Sequence, residues 1–270
     1  MVNSKVISTI DSDATTHRLA VLIDADNAQP SVIDALLAEV ARFGEATIKR
    51  IYGDFTKSTS TQWKQVLNRL AINPIQQFAY TTGKNATDSK LIIEAMDLLH
   101  KGNVDGFCLV SSDTDFTGLA SRIREEGLLV YGFGEHKTPE SFRNACHQFV
   151  FTENLRSITE TAPKKKKIST RIKSTAVETD DSKRDKRPPH LPIALLKEAV
   201  ENTDDDMGWA NSGALGSYLR KLKPDFDPRT FGFKKLTDLF MSFPDIFECQ
   251  DRATPNSPTK IIYIRTKEKK

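Results

Sequence analysis

A run of five apolar residues that ends in two carboxylates constrains the fold more than any other feature of this sequence. Residues 19–23 read LAVLI, and Asp24 and Asp26 follow. The run is too short to cross a membrane and is typical of a strand buried on both faces. After Pro30, which suits the first turn of a helix, apolar residues recur at helical spacing up to Phe43. Because ligands of an open α/β sheet bind beyond the carboxyl ends of its parallel strands, we expect a site at these two aspartates.

The alternation of strand and helix continues to residue 152. Five further strand-like segments are separated by stretches with helical apolar periodicity. These segments are 46–53, 73–78, 106–110, 128–134 and 147–151. Alternating strands and helices need right-handed crossovers, which favours a parallel sheet with helices on both faces. We therefore predict an α/β domain over residues 18–152, preceded by a flexible tail at 1–17.

The composition changes after residue 152. Residues 153–189 lose apolar periodicity, and residues 156–190 carry 11 Lys and Arg against 5 Asp and Glu, which predicts a disordered basic linker. Regular patterning returns over 190–266. The predicted elements there are helices at 191–200, 212–222 and 231–240 and strands at 246–249 and 261–264. Three helices and a two-stranded wing form a small winged helix-turn-helix domain.

Charge and cysteine content narrow the classes of function. The formal net charge is +3, yet residues 16–155 carry 14 Lys and Arg against 17 Asp and Glu. A basic segment beside an acidic domain suits a polyanionic partner, and a solubilising linker explains the same charge equally well. The three cysteines are far apart and lack CxxC spacing, which fits reduced structural thiols. No signal peptide or membrane span is recognisable, so we expect a cytoplasmic protein without a membrane partner.

Acidic residues follow two of the predicted strands in the same way. Asp113 and Asp115 follow the fourth strand as Asp24 and Asp26 follow the first. These strands are commonly neighbours at the centre of a doubly wound sheet, and Asp88, which heads the preceding helix, enters the same rim. Taken singly, Asp88 and Asp115 would be interpreted as helix caps. Together the carboxylates would raise one another's pKa, and a divalent cation relieves that repulsion, so the pattern favours a metal-dependent phosphate site.

Three segments together resemble the NYN domain, the LabA-like branch of the PIN-like nucleases. They are IDADN at 23–27, YTTGKNATD at 80–88 and SSDTDF at 111–116. The resemblance covers about residues 18–152. It implies a Rossmann-like (PIN-like) fold and Mg²⁺- or Mn²⁺-dependent endonuclease activity on RNA. Ala25-Asp26 and Ser112 depart from the wider family pattern, and neither departure removes a core carboxylate.

The NYN resemblance also implies roles for individual residues. The expected metal ligands are Asp24, Asp88, Asp113 and Asp115. The expected supporting pair in the catalytic site is Asp26 and Asn27. The residues expected to orient water or phosphate, or to contact the substrate backbone, are Ser112, Thr114 and Lys84.

The C-terminal part resembles the OST-HTH (LOTUS) domain. The resemblance covers about 190–266 and rests on FGFKKLTDLF at 231–240 and PDIFE at 244–248. That family accompanies NYN domains in bacteria, has a winged-helix fold and is associated with RNA binding. The basic residues expected to contact phosphate are Lys221, Lys223, Arg229, Lys234 and Lys235. Such contacts give affinity and salt dependence rather than sequence choice, so DNA stays an alternative partner, and homodimer formation stays open.

Two other functions remain open on the sequence. A haloacid-dehalogenase-type phosphatase also carries D-x-D after its first strand, although Ala28 stands where that pattern expects Thr or Val and Asp88 would have no role. A non-catalytic RNA-binding regulator would have the same two domains and a merely structural acidic site. The principal hypothesis is a metal-dependent endoribonuclease whose C-terminal domain recruits RNA through a flexible basic tether.

Overall fold

In a computed structural model the N-terminal half of the chain forms a six-stranded parallel sheet. The structure describes residues 16–56, 61–78, 86–159, 191–253 and 260–267. The strands are β1 (Arg18–Asp24), β2 (Glu45–Gly53), β3 (Asn73–Gln76), β4 (Gly106–Val110), β5 (Leu129–Gly134) and β6 (Gln148–Phe151). Their order in the sheet is β3-β2-β1-β4-β5-β6, and every neighbouring pair is parallel. The predicted α/β fold is confirmed, and β1 and β4 are neighbours at its centre.

Helices cover both faces of this sheet. They are α1 (Ile33–Val40), α2 (Thr61–Leu70), α3 (Ala86–Lys101), α4 (Thr117–Glu125), α5 (Glu140–Ala145) and α6 (Thr152–Thr159). The apolar run of β1 alternates between two cores, with Ala20 and Leu22 packed beside α3 and α4 and with Leu19, Val21 and Ile23 packed beside α1 and α2. Burial on both faces explains why the run is uninterrupted. Within the described parts of the chain, no helix combines the length and apolar character that crossing a bilayer requires.

Helix α6 begins where the sequence predicts a disordered linker, so that prediction is wrong for residues 153–159. The segment reads TENLRSIT, and only Leu155 and Ile158 in it are apolar. Leu155 is nevertheless 1% exposed, because it enters the same core as Ile33 and Leu36 of α1. Two apolar residues are too few to predict a helix by themselves, and packing of Leu155 in this core stabilises it. The predicted tail up to residue 15 and the predicted linker from residue 160 lie outside the described residues.

The C-terminal part forms a winged helix-turn-helix domain, as predicted. Its elements are α7 (Ile193–Glu201), β7 (Ala210–Asn211), α8 (Ser212–Leu222), α9 (Leu236–Met241), β8 (Phe247–Ala253) and β9 (Lys260–Thr266). The wing is antiparallel in the order β7-β9-β8, so it has one short strand more than the sequence indicated. Side chains from all three helices and the wing form a separate apolar core.

The third predicted helix is shorter than expected at its beginning. A 3-10 turn at Pro228–Phe231 precedes Gly232, whose φ of +86° is a left-handed conformation that favours glycine. Lys235 is extended, and α9 starts only at Leu236. The prediction of a helix over 231–240 is therefore wrong for its first half. The left-handed backbone at Gly232 is incompatible with a helix there, although the apolar pattern suggested one.

The C-terminal domain contacts the outer edge of strand β6. The backbone N–H of Phe149 donates a 2.9 Å hydrogen bond to the carbonyl of Pro224. Asn154 in α6 donates through Nδ2 to the hydroxyl of Thr230 at 2.9 Å. An edge strand presents unpaired backbone groups, and here the second domain covers them.

Two ion pairs flank this backbone contact, one on each face of the sheet. Arg143 of α5 pairs with Asp225, and Arg229 donates to both carboxylate oxygens of Glu39 in α1 at 3.2 and 2.9 Å. Arg229 also donates to Asp227 within its own domain. The side chain of Glu39 is 6% exposed, so the contact shields it from water. Each domain supplies one arginine and one carboxylate, which holds the second domain against the sheet edge.

Candidate metal centre

The carboxyl ends of β1 and β4 bring most of the predicted acidic residues to one place. Asp24 is the last residue of β1, and Asp113 is the third residue after β4. Asp88 lies in the first turn of α3, and Asp115 lies in a 3-10 turn before α4. Asp88, Asp113 and Asp115 each offer a carboxylate oxygen, and these atoms all lie within 4.8 Å of one another. Three oxygen donors at this spacing could hold a divalent cation.

Asp24, at the end of β1, is fully buried. Its Oδ1 accepts the backbone N–H of Asp26 at 3.0 Å, and its Oδ2 accepts the Asn27 side chain at 2.7 Å and the Ser111 hydroxyl at 2.9 Å. Burial raises the pKa of Asp24, and the three hydrogen bonds oppose that shift. Asp24 does not belong to the three residues whose oxygens converge, and its role as a metal ligand stays a prediction.

Ser111 is a site residue to which the sequence analysis assigned no role. Its hydroxyl donates to Asp24 and accepts the backbone N–H of Asp113 at 3.1 Å. The residue is 3% exposed, so this link between the ends of β1 and β4 is shielded from water. The signal in the sequence was its position directly after the fourth strand, one residue before the Ser112 that the motif emphasised.

The turn after β4 shapes the exposed side of the cluster. The Asp113 Oδ1 accepts the backbone N–H of Asp115 at 3.1 Å and so caps the short 3-10 turn. Thr114 is exposed, and its hydroxyl lies 3.4 Å from the same oxygen. Asp113 is therefore a cap and a member of the cluster at once, since one carboxylate has two oxygens.

Ser112 and Glu135 lie beside the cluster rather than in it. The Ser112 hydroxyl accepts the backbone N–H of Glu135 at 2.9 Å, so it ties β4 to the end of β5. Glu135 also accepts a hydrogen bond from Gln29 at 3.1 Å. The sequence analysis did not single out Glu135, although it too directly follows a buried strand. The structure thus places a further carboxylate on this edge of the sheet.

Burial and neighbouring negative charges both act on Asp88. Its pKa is raised to about 6, first by burial and then by the negative charges of Asp24, Asp113, Asp115 and Asp26. Carboxylate oxygens are the ligands that Mg²⁺ and Mn²⁺ prefer. The donor set and its mutual repulsion therefore fit a divalent cation.

The residues expected to contact phosphate fall into three groups. Lys84 lies outside the described residues. Four lysines are exposed on the C-terminal domain, at the end of α8 and before α9: Lys221, Lys223, Lys234 and Lys235. The guanidinium of Arg229 instead binds Glu39 and Asp227, and its side chain is 19% exposed. The structure therefore uses Arg229 to join the domains rather than to present a cation to a ligand.

A Rossmann-like α/β domain with clustered carboxylates at the carboxyl edge, joined to a winged helix, defines the class of this protein. A model of the NYN domain family matches residues 18–155, and a model of the OST-HTH/LOTUS domain matches residues 185–258. The chain belongs to the NYN domain family and carries an OST-HTH/LOTUS domain at its C-terminal end. NYN domains belong to a nuclease superfamily, which points to a hydrolase acting on nucleic acid.

Two solved structures that are similar to part of this chain carry names that assign no function. An uncharacterized protein of Nitrosomonas europaea, solved by NMR, is 35% identical over 37% of this chain and 95% of its own, with a TM-score of 0.29. A protein of unknown function from Vibrio parahaemolyticus is 17% identical over 50% of this chain and 91% of its own, with a TM-score of 0.43. No curated protein matches the chain.

Proposed function

We propose that this protein is a metal-dependent endoribonuclease that binds RNA through both domains. The observation that carries the proposal is the convergence of Asp88, Asp113 and Asp115 within 4.8 Å at the carboxyl edge of an NYN domain. The OST-HTH/LOTUS domain supports RNA as the substrate, because that domain is associated with RNA binding. The exposed lysines of the C-terminal domain supply sequence-independent phosphate contacts.

The cluster residues have distinct tasks in this proposal. Asp88, Asp113 and Asp115 would hold Mg²⁺ or Mn²⁺, which when bound neutralises charge on the phosphodiester and lowers the pKa of an attacking water. Asp24 accepts hydrogen bonds from Asn27 and Ser111 and so fixes the ends of both strands. Positioning of this kind reduces the reorganisation that the reaction would otherwise require.

The environment of Asp24 argues against the phosphatase alternative. A haloacid-dehalogenase-type enzyme would use the first aspartate after β1 as its nucleophile. Here Asp24 is 0% exposed, and both carboxylate oxygens accept hydrogen bonds, which lowers their reactivity as nucleophiles. The non-catalytic RNA-binding regulator remains as the second outcome of the test below.

Cleavage of a circular single-stranded RNA tests the proposal, since only an endonuclease opens a circle. We expect linear products in Mn²⁺ or Mg²⁺ and none in EDTA. Asp113→Asn should lower the rate by more than about 100-fold, and Ser111→Ala, which changes a residue that orients the cluster, by about 10- to 100-fold. A circular DNA of the same sequence tests the alternative polymer.

Asp97→Asn is the matched control for the carboxylate substitutions. Asp97 lies on α3 with Asp88, but it is exposed and is not one of the three clustered residues. Its substitution should leave the cleavage rate unchanged. RNA binding by the wild-type protein without cleavage in either metal would overturn the catalytic proposal in favour of the regulator.

A further inference from the structure

The contact between the two domains creates a cleft to which both contribute. The nuclease-like domain lines it with Arg124 and with the turn between α5 and β6, including His147. The C-terminal domain lines it with the last turn of α8, including Arg220 and Lys221. The cleft has a volume of about 360 Å³. Because Pro224 bonds to the β6 edge next to this opening, the cleft exists only while the domains are docked.

The cleft is lined by cations from both domains. Arg124, Arg220 and Lys221 face it, and among the described lining residues there is no carboxylate. The guanidinium of Arg220 contacts the Ser217 hydroxyl at 3.4 Å, and within the described part of the chain Lys221 has no ion pair. The exposed His147 ring accepts the Val130 N–H at Nδ1, so its neutral form carries the proton at Nε2. Positive charge and hydrogen-bond donors thus converge on one opening.

Stabilisation of helix ends accounts for only part of this charge. Cations are favourable at helix C-termini because the carbonyl groups there are unpaired. Arg124 serves that purpose, since it donates to the carbonyls of Asn144, Ala145 and Cys146 at the end of α5. In α8 the carbonyl of Leu219 already accepts a backbone N–H, and the side chains of Arg220 and Lys221 bind none of the described carbonyls. These two cations stay available to a ligand.

The cleft lies at the end of the sheet where the strands begin, whereas the carboxylates lie at the end where the strands finish. His147 immediately precedes β6, whereas the acidic cluster lies beyond the carboxyl ends of β1 and β4. The neighbouring strand β5 has six residues, so the two edges are about 20 Å apart. A small anion reaches one of these places but not both. A long polyanion reaches both.

We propose that this interdomain cleft binds backbone phosphates of RNA at a distance from the point of cleavage. The inference rests on the proposed function, because it assumes RNA as the substrate. Arg220 and Lys221 supply the charge, and the docked nuclease-like domain supplies the opposite wall. The cleft favours substrates long enough to extend from the acidic cluster to the cleft. It adds affinity without reading the bases.

RNA binding in EDTA tests the cleft separately from cleavage. The affinities of wild type and of Arg220→Gln/Lys221→Gln are measured over a range of KCl for a tetranucleotide and for an oligouridylate longer than about 16 nucleotides. For the long RNA, loss of two phosphate contacts should make the slope of log K against log salt shallower by about 1.4. The tetranucleotide is too short to reach both the cleft and the acidic cluster, so the wild-type protein should bind it more weakly than the long RNA.

The matched control is Lys64→Gln/Lys101→Gln, which removes the same net charge from exposed positions outside the cleft. It should keep the wild-type slope. Equal slopes for the cleft variant and wild type would overturn the proposed role of the cleft. Equal losses of affinity for the long RNA in the cleft variant and the control would also overturn it. Displacement of the long RNA by inorganic phosphate at constant ionic strength would reassign the cleft to a small anion. Cleavage that persists in any of these cases leaves the proposed nuclease standing, whereas absence of both binding and cleavage removes both proposals.

Discussion

Single polar side chains at the sheet edge do more than their motif positions indicate. Ser111 joins Asp24 to the backbone of Asp113, so a hydroxyl sets the spacing between two strand ends. Ser112, its neighbour in the motif, binds the next strand through Glu135 instead. The side chains of consecutive residues in an extended chain point in opposite directions. Only the tertiary structure shows which serine faces Asp24 and which faces β5.

Asp88 should make the stability of the metal-free protein depend on pH. Its pKa is about 6 in the fold, against about 3.9 in an unfolded chain, so between these values the native state binds more protons. Stability therefore falls as pH rises through this window. Because the side chain is partly exposed, solvent screening reduces the effect to on the order of 1 kcal/mol, or about 3 °C in Tm. Thermal melting in EDTA at acidic and neutral pH measures it.

Two variants and one addition test the assignment to Asp88. Asp88→Asn should lose this component of the pH dependence, whereas Asp97→Asn should keep the wild-type dependence. Addition of Mn²⁺ at neutral pH should raise the Tm of wild type more than that of Asp88→Asn, because ligand binding to the native state stabilises it. Identical pH profiles for wild type and Asp88→Asn would contradict the repulsion described at the cluster.

At the scale of elements, the segment that leads from α8 to α9 acts as a docking element. The segment carries the Pro224 carbonyl and Asp225, which bind β6 and α5. Arg229 illustrates why the sequence was insufficient. Its partner Glu39 lies 190 residues away in the chain, and no local pattern relates the two.

Arg229→Ala should loosen this docking element. It leaves Glu39 without its interdomain partner, and loss of a charged hydrogen bond at about 2 kcal/mol would open the contact about 30-fold more often. The Phe149 amide donates across the interface, so its hydrogen exchange reports the opening. We expect exchange about 30-fold faster at Phe149 and unchanged exchange in the central strand β4.

Arg42→Ala is the control for this substitution. Arg42 also pairs with Glu39, at 3.0 Å, but from within the same domain and with a side chain that is 66% exposed. Exposed pairs contribute little, so exchange at Phe149 should change less than about threefold. Equal acceleration in the two variants would show that the charge of Glu39, rather than its contact across the domains, controls exchange.

At the scale of the whole molecule, the docked arrangement differs from a domain that recruits RNA on a free tether. If docking is stable, cutting the chain between the domains should not separate them. A protease site introduced at residues 164–167, followed by cleavage and gel filtration at low salt, tests this. The two halves should co-elute, and in Arg143→Ala/Arg229→Ala they should elute apart. Separation of the wild-type halves would instead support the hypothesis that the C-terminal domain recruits RNA on a flexible tether.

Periodicity and strand-end chemistry were enough to predict the α/β sheet, the neighbouring β1 and β4, the winged helix and the acidic edge. Those features follow from local patterns, because burial on both faces requires a continuous apolar run and a parallel sheet brings all its carboxyl ends to one edge. The family resemblance then suggested the metal and the substrate.

Only the tertiary structure decided how the two domains meet and which polar groups are occupied. Helix α6 forms because Leu155 packs in a core built by distant residues. Arg229 joins the domains because it binds Glu39 of α1. The sequence by itself determined which residues carry charge and which segments are apolar. Their partners depend on contacts between residues far apart in the chain, and such contacts leave no periodic trace in the sequence.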